Sequence, residues 1–166
     1  VAQLVLVGLP GTGKTTVARE LASRWGVAAI DTDDVLAAAV GRSVPDYLRE
    51  VGEEHFRQRE YEALVEALAT DAVVATGGGS VTLAQARARL VDERTYWLDC
   101  ADEKIVARVA TGDRPLLGDD PSESIARLRA QRESWYREVA TVRIDTSVSL
   151  DEVIDQVLER VKGEDE

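Results

Sequence analysis

Residues 3–16, QLVLVGLPGTGKTT, decide the reading of this chain. An apolar run, Leu4 to Val7, passes into a loop punctuated by Gly8, Gly11 and Gly13 and then into Lys14, Thr15 and Thr16. A short unbroken apolar run bounded by turn residues reads as a buried strand. The segment KTTVARELASRWG that follows has helical period and closes on Gly26. Between them, Gly8, Gly13, Lys14 and Thr15 fit the pattern G-x-x-x-x-G-K-[ST]. Small residues let backbone N–H groups converge on phosphate oxygens with no Cβ in the way. A helix beginning near Lys14 turns its unpaired amides and its dipole on the same anion. Lys14 is then placed for the β- and γ-phosphates and Thr15 for Mg²⁺. Gly11, Thr12, Gly13 and Thr16 complete the candidate nucleotide loop. The plain alternative, a glycine-rich turn with a chance Lys, fits poorly with a strand before and a helix after.

Working outward, apolar runs alternate with helix-period segments. GVAAI leads into the acidic turn Asp31–Asp34, DTDD, read as a second strand and an extended exit. Helical patterns follow through LAAAV and from Gly52 to Ala69. DAVVAT is a third strand ending in Gly77–Gly79, and RTYWLDC a fourth. Residues 102–110 read as helix, Gly112–Pro121 as a breaker-rich loop, and Pro121 to Val139 as a long helix. TVRIDT is a fifth strand and Leu150 to Val161 a last helix, with the tail GEDE expected to fray. Strands alternating with helices argue one α/β domain, a parallel sheet covered on both faces. Ligands of such sheets sit at the carboxyl ends of the strands. GLPGTGKTT, DTDD and GGG all fall there.

Composition narrows the function classes. The chain has 166 residues, enough for one domain with a core, and a net charge of −11. So acidic a surface disfavours nucleic acid and anionic membranes as partners. Cys100 is the only cysteine, which excludes an intrachain disulfide and a zinc cluster, and it is expected to be inert. No apolar segment reaches membrane-spanning length and no leader is read before Val5, so a cytoplasmic monomer is the expectation. A mechanical ATPase needs a strand ending in an acidic pair, whereas AVVAT ends in glycines. A switch GTPase needs a base-reading Asn-Lys-x-Asp segment, which is missing. These absences favour a compact kinase that transfers phosphate to a small molecule.

Its chemistry would fall to acids and arginines. Asp31 is assigned to a Mg²⁺-bound water and Asp33 to an acceptor hydroxyl whose proton it draws. Capping of a helix from Val35 by Asp33 or Asp34 is the competing explanation. Three glycines in a row imply that something approaches closely, or merely a tight turn. Arg57 and Arg132 lie on helical stretches, where a solvated arginine paired with a neighbouring acid is the commoner case. Arg114 sits in the breaker-rich loop, where it could fold onto a transferring phosphoryl group or remain a surface charge. His55 reads as a surface residue, and Trp25, Trp97 and Trp135 as packing.

Taken together, GLPGTGKTT, IDTDD, GRSVPDYLREVGEEHFRQRE, TGGGSV and RPLL, in this order, resemble the shikimate kinases, P-loop enzymes of the nucleoside-monophosphate-kinase-like class. The resemblance spans nearly the whole chain. It implies a three-layer α/β/α domain with five parallel strands in the order 2-3-1-4-5. It also implies a substrate-binding helical region at about 33–62 and a lid at about 111–121. The implied reaction is transfer of phosphate from ATP, with Mg²⁺, to the 3-hydroxyl of shikimate, on the route to the aromatic amino acids. On the same basis Asp33 binds the hydroxyls and acts as base. Arg57 and Arg132 clamp the carboxylate, because an arginine fork pairs both oxygens. Gly78 and Gly79 contribute backbone contacts to the substrate. Arg114 closes on the ATP phosphates, Arg108 flanks the adenine, and Thr15 with Asp31 serves the metal. SVSL, Ser147 to Leu150, has neither the Arg nor the Pro usual there. A gluconate- or nucleotide-type kinase on the same scaffold and a non-catalytic nucleotide-binding module are the alternatives.

Overall fold

The computed structural model describes residues 1–110 and 120–166. The lid expected near 111–121 therefore lies almost wholly outside the described residues, and Arg114 with it. The elements are β1 Leu4–Val7, α1 Lys14–Trp25, β2 Ala28–Asp31, α2 Thr32–Val40, α3 Val44–Val51, α4 Glu53–Leu68, β3 Ala72–Ala75, a 3₁₀ turn Ser80–Thr82, α5 Ala84–Val91, β4 Thr95–Asp99, α6 Asp102–Ala110, α7 Pro121–Val139, β5 Val142–Asp145 and α8 Leu150–Asp165.

All strand pairings are parallel, and the order is β2-β3-β1-β4-β5, as the family resemblance implied. β1 lies in the centre, and every residue of LVLV is buried, which is why it reads as a continuous apolar run. Its side chains alternate between two cores. Val5 and Val7 pack with Leu64, Leu90, Ile105, Ile125 and Tyr136 from α4 to α7, whereas Leu4 and Leu6 pack with Val17, Leu21, Ile154 and Val157 from α1 and α8. Edge strands β2 and β5 are only partly buried. A third, smaller cluster of Leu36, Tyr47, Phe56 and Ala63 holds α2, α3 and α4 together beside the sheet. No described helix is long and apolar enough to cross a membrane.

Three expectations change. Helix α2 begins at Thr32, not Val35, because Asp31 is itself the cap: its carboxylate accepts from Asp33 N at 2.9 Å. Asp33 therefore sits in a first helical turn rather than on an extended exit. Helices α3 and α5 fall in segments to which the sequence reading assigned no element. α3 is set by Ser43 as cap, with Pro45 in the first turn and Gly52 after the end. The GED of the tail continues α8 instead of fraying, because Arg94, just before β4, pairs with Glu164 at 3.0 Å and with Asp165.

Candidate active site

The P-loop lies between the carboxyl end of β1 and α1. Gly13, the residue before α1, has φ 93°, a left-handed conformation that side-chain-bearing residues rarely adopt. Helix α1 then starts at Lys14 with no side-chain cap, so its first amides are turned to the loop. Lys14 is buried, and its Nζ donates to Gly8 O at 2.7 Å and Leu9 O at 2.9 Å, holding the ammonium across the loop. Thr12 Oγ1 donates to Leu9 O at 2.9 Å and tightens the same turn. Thr15 Oγ1 donates to Asp31 Oδ2 at 2.6 Å, so the two expected metal-site residues meet directly. Asp31 thus spends one oxygen on the α2 cap and the other on Thr15. A hydroxyl beside a carboxylate is an oxygen-only donor pair, which suits a hard cation such as Mg²⁺. No group of three or more His, Cys, Asp or Glu suited to a metal occurs among the described residues. Mg²⁺ tolerates this, since it takes most of its ligands from water and phosphate.

The three glycines after β3 are surrounded. A Cβ at Gly77 would lie 2.6 Å from Asp33 Oδ1 and 2.9 Å from Glu60 Oε2. One at Gly78 would lie 2.9 Å from Pro10 Cδ of the P-loop and 3.4 Å from Arg132 Nη1, and one at Gly79 would overlap the Arg57 guanidinium. Close approach, not turn geometry alone, is therefore what the glycines serve. Gly77 N is held by Thr32 Oγ1 at 2.9 Å, and Gly78 O by the Tyr136 hydroxyl at 2.6 Å. Asp33, Arg57, Arg132 and the glycine turn thus converge next to the phosphate loop.

Neither arginine is the solvated helical charge that base rates favour. Arg57 is nearly buried and donates to Glu60 Oε1 at 2.8 Å; Arg132 is buried on α7. Arg57 Nε and Arg132 Nε are buried and make no hydrogen bond to the described residues. Sequence reading gave no role to Glu60, which stands between Arg57 and Gly77. Burial pushes its carboxyl above the ordinary value, against the pull of Arg57, and the charges of Asp33 and Arg132 also act on it. Its signal was its place three residues after Arg57, on one helix face. Tyr136 was missed too; burial raises its phenol to about 12, so it remains a neutral donor to Gly78 O.

On the nucleotide side, Arg108 on α6 reaches Gly11 O at 3.3 Å and Thr146 O at 2.5 Å, bridging the P-loop to the turn after β5. In the departing segment SVSL, Ser147 N is held by Asp145 Oδ1 and Ser149 caps α8. His55 is exposed, the surface residue expected, and meets Tyr47 OH at 3.0 Å. Cys100 is buried and free.

The sequence matches the shikimate kinase family over residues 10–162. A shikimate kinase of Frankia casuarinae is 46% identical over 146 residues, which is 87% of this chain and 65% of that protein. One of Symbiobacterium thermophilum is 43% identical, covering 96% of this chain and 95% of that protein. The structure of an Acinetobacter baumannii shikimate kinase in complex with shikimate superimposes with a TM-score of 0.90 at 32% identity, over 97% of this chain and 93% of that one.

Proposed function

We propose, from the fact that this chain belongs to the shikimate kinase family, that it transfers the γ-phosphoryl group of ATP to the 3-hydroxyl of shikimate. The observation that carries this reading is the convergence of the nearly buried Arg57 and the buried Arg132 on one glycine turn that also touches the P-loop. Their Nε groups, buried and unmatched by the described residues, suit an anionic ligand better than a neutral one.

In this reading the shikimate carboxylate lies between Arg57 and Arg132, against the amides of Gly78 and Gly79. Asp33 accepts the proton of the attacking hydroxyl. Lys14 leaves the carbonyls of Gly8 and Leu9 for the transferring phosphate, at the head of α1. Amides of Gly11 to Thr16 hold the remaining phosphates, and Arg108 flanks the base, with Arg114 as a further phosphate contact. Thr15 and Asp31 would hold Mg²⁺, which when bound offsets charge on the phosphates. Catalysis is then mainly positioning and charge stabilisation. The reading extends to a cytoplasmic monomer without nucleic-acid or membrane partners. An ADP-release assay with shikimate, gluconate or no acceptor tests it. Release dependent on shikimate is expected; release that follows gluconate, or needs no acceptor, overturns it.

A further inference from the structure

Helix α7 carries Arg132, and polar ties bracket that residue. Four residues after it, the Tyr136 hydroxyl donates to Gly78 O at 2.6 Å. Three residues before it stands Arg129, which no sequence motif singles out. Arg129 Nη1 and Nη2 fork onto the two oxygens of Asp99 at 3.2 and 3.0 Å. Nη2 also donates to Cys100 O at 2.8 Å, and Nε to Asp102 Oδ1 at 2.7 Å.

The receiving end is rigid. Asp99 closes β4, its side chain is 5% exposed, and it also accepts from Arg143 Nη2 at 3.1 Å. Its carbonyl is held by Thr146 N at 2.8 Å. Elsewhere α7 is anchored by apolar packing, chiefly Ile125, Tyr136 and Val139, and by Glu138, whose half-exposed carboxylate pairs with Arg87 of α5 at 3.2 Å. Apolar burial is strong but non-directional, so it leaves a helix free to slide or roll slightly. A bidentate arginine–carboxylate pair adds geometric specificity as well as energy.

We propose that Arg129 is a positioning residue for shikimate binding. Its clasp on Asp99, Cys100 O and Asp102 sets the rotation of α7 that brings the Arg132 guanidinium against Gly78. This inference rests on the reading of Arg132 as a substrate clamp and adds the device that aims it.

The test is a double-mutant cycle on the full chain, reading the shikimate dissociation constant by titration calorimetry without nucleotide. Arg129→Met is expected to weaken binding about five- to tenfold, and Arg132→Met by more. If Arg129 acts through Arg132, the double variant binds within about twofold of Arg132→Met alone. A loss of general structural origin would instead multiply in the double variant, and that result overturns the inference. Arg129→Lys keeps the charge beside Asp99 but cannot fork, and it serves in the same cycle should the Met variant not fold. It is expected to lose more than twofold. Impaired Arg132→Met with normal Arg129→Met and Arg129→Lys overturns this inference alone. Wild-type protein that does not bind shikimate, or Arg132→Met that binds it normally, overturns the clamp reading and this inference with it.

Discussion

Arg57 Nη1 lies 2.8 Å from Glu60 Oε1, one turn further along α4, with side chains only 11% and 5% exposed. A carboxylate so placed fixes the guanidinium while itself losing solvation, and the second effect prevails in Glu60, whose pKa is raised. Below its ordinary value of 4.5 Glu60 is protonated in both folded and unfolded chains and costs nothing. As pH rises past that value the unfolded chain ionises first, so this group's contribution to stability falls until the folded-state pKa is passed. Glu60→Gln lacks this dependence. Urea denaturation between pH 5 and 8 is expected to show the stability gap shifting in the variant's favour as pH rises. A gap that stays level contradicts the assignment.

Gly79 has no room for a methyl group, because the Arg57 guanidinium fills the place of its Cβ. The obstacle is the end of a flexible side chain, so Gly79→Ala should fold, with Arg57 displaced from the turn. Its shikimate KM is expected to rise as in Arg57→Ala, about 10- to 100-fold, the worth of one hydrogen-bonded charge. The ATP KM should stay near wild type. Steady-state kinetics with each substrate varied checks this, and an unchanged shikimate KM would show that Arg57 is not a substrate contact.

How far the site was legible depended on whether a residue's partner is close in sequence. The P-loop announces itself because strand, glycines, Lys14 and Thr15 are contiguous and each has a local physical reason. The glycine turn announced a close approach but not by what: Asp33, Arg57, Arg132 and Pro10 reach it from distant segments. Only the family resemblance supplied the two arginines. Asp31 shows the limit at short range. It was read as a metal residue, yet the same carboxylate caps α2, and that second task moved the helix start and turned Asp33 into a first-turn residue. Arg94 shows the limit at long range, since its pairs with Glu164 and Asp165 span some 70 positions and no period in the sequence records them. Helix α3 was legible through Ser43, Pro45 and Gly52 and through the helical spacing of Val44, Tyr47, Leu48 and Val51, and it was overlooked.

The double use of Asp31 can be taken apart by two substitutions. Asn caps a helix about as well as Asp, whereas Ala does not. Asp31→Asn should therefore keep the cap on Asp33 N and stay within about 1 kcal/mol of wild-type stability, while Asp31→Ala loses about 1 kcal/mol or more. Both remove the charge beside Thr15, and both are expected to raise the Mg²⁺ concentration that gives half-maximal turnover. Thermal melts and a Mg²⁺ titration of activity measure the two effects separately. An Asn variant with wild-type Mg²⁺ dependence would leave Asp31 as a cap alone.

Asp33 offers the sharpest division between binding and chemistry. Its carboxylate oxygen would lie 2.6 Å from a Cβ on Gly77, and its backbone N is committed to Asp31, so the side chain is held at the glycine turn from the first turn of α2. Asp33→Asn preserves shape and still offers an oxygen to a substrate hydroxyl, but it cannot take up that hydroxyl's proton. If Asp33 is the base, kcat falls about 10²- to 10⁴-fold while the shikimate KM changes little. If it only holds the ring, KM rises and kcat survives. Single-turnover measurement with saturating ATP distinguishes the two, because a slowed phosphoryl step then appears directly. Near-normal single turnover in Asp33→Asn removes this residue from the proton transfer and leaves it a substrate ligand.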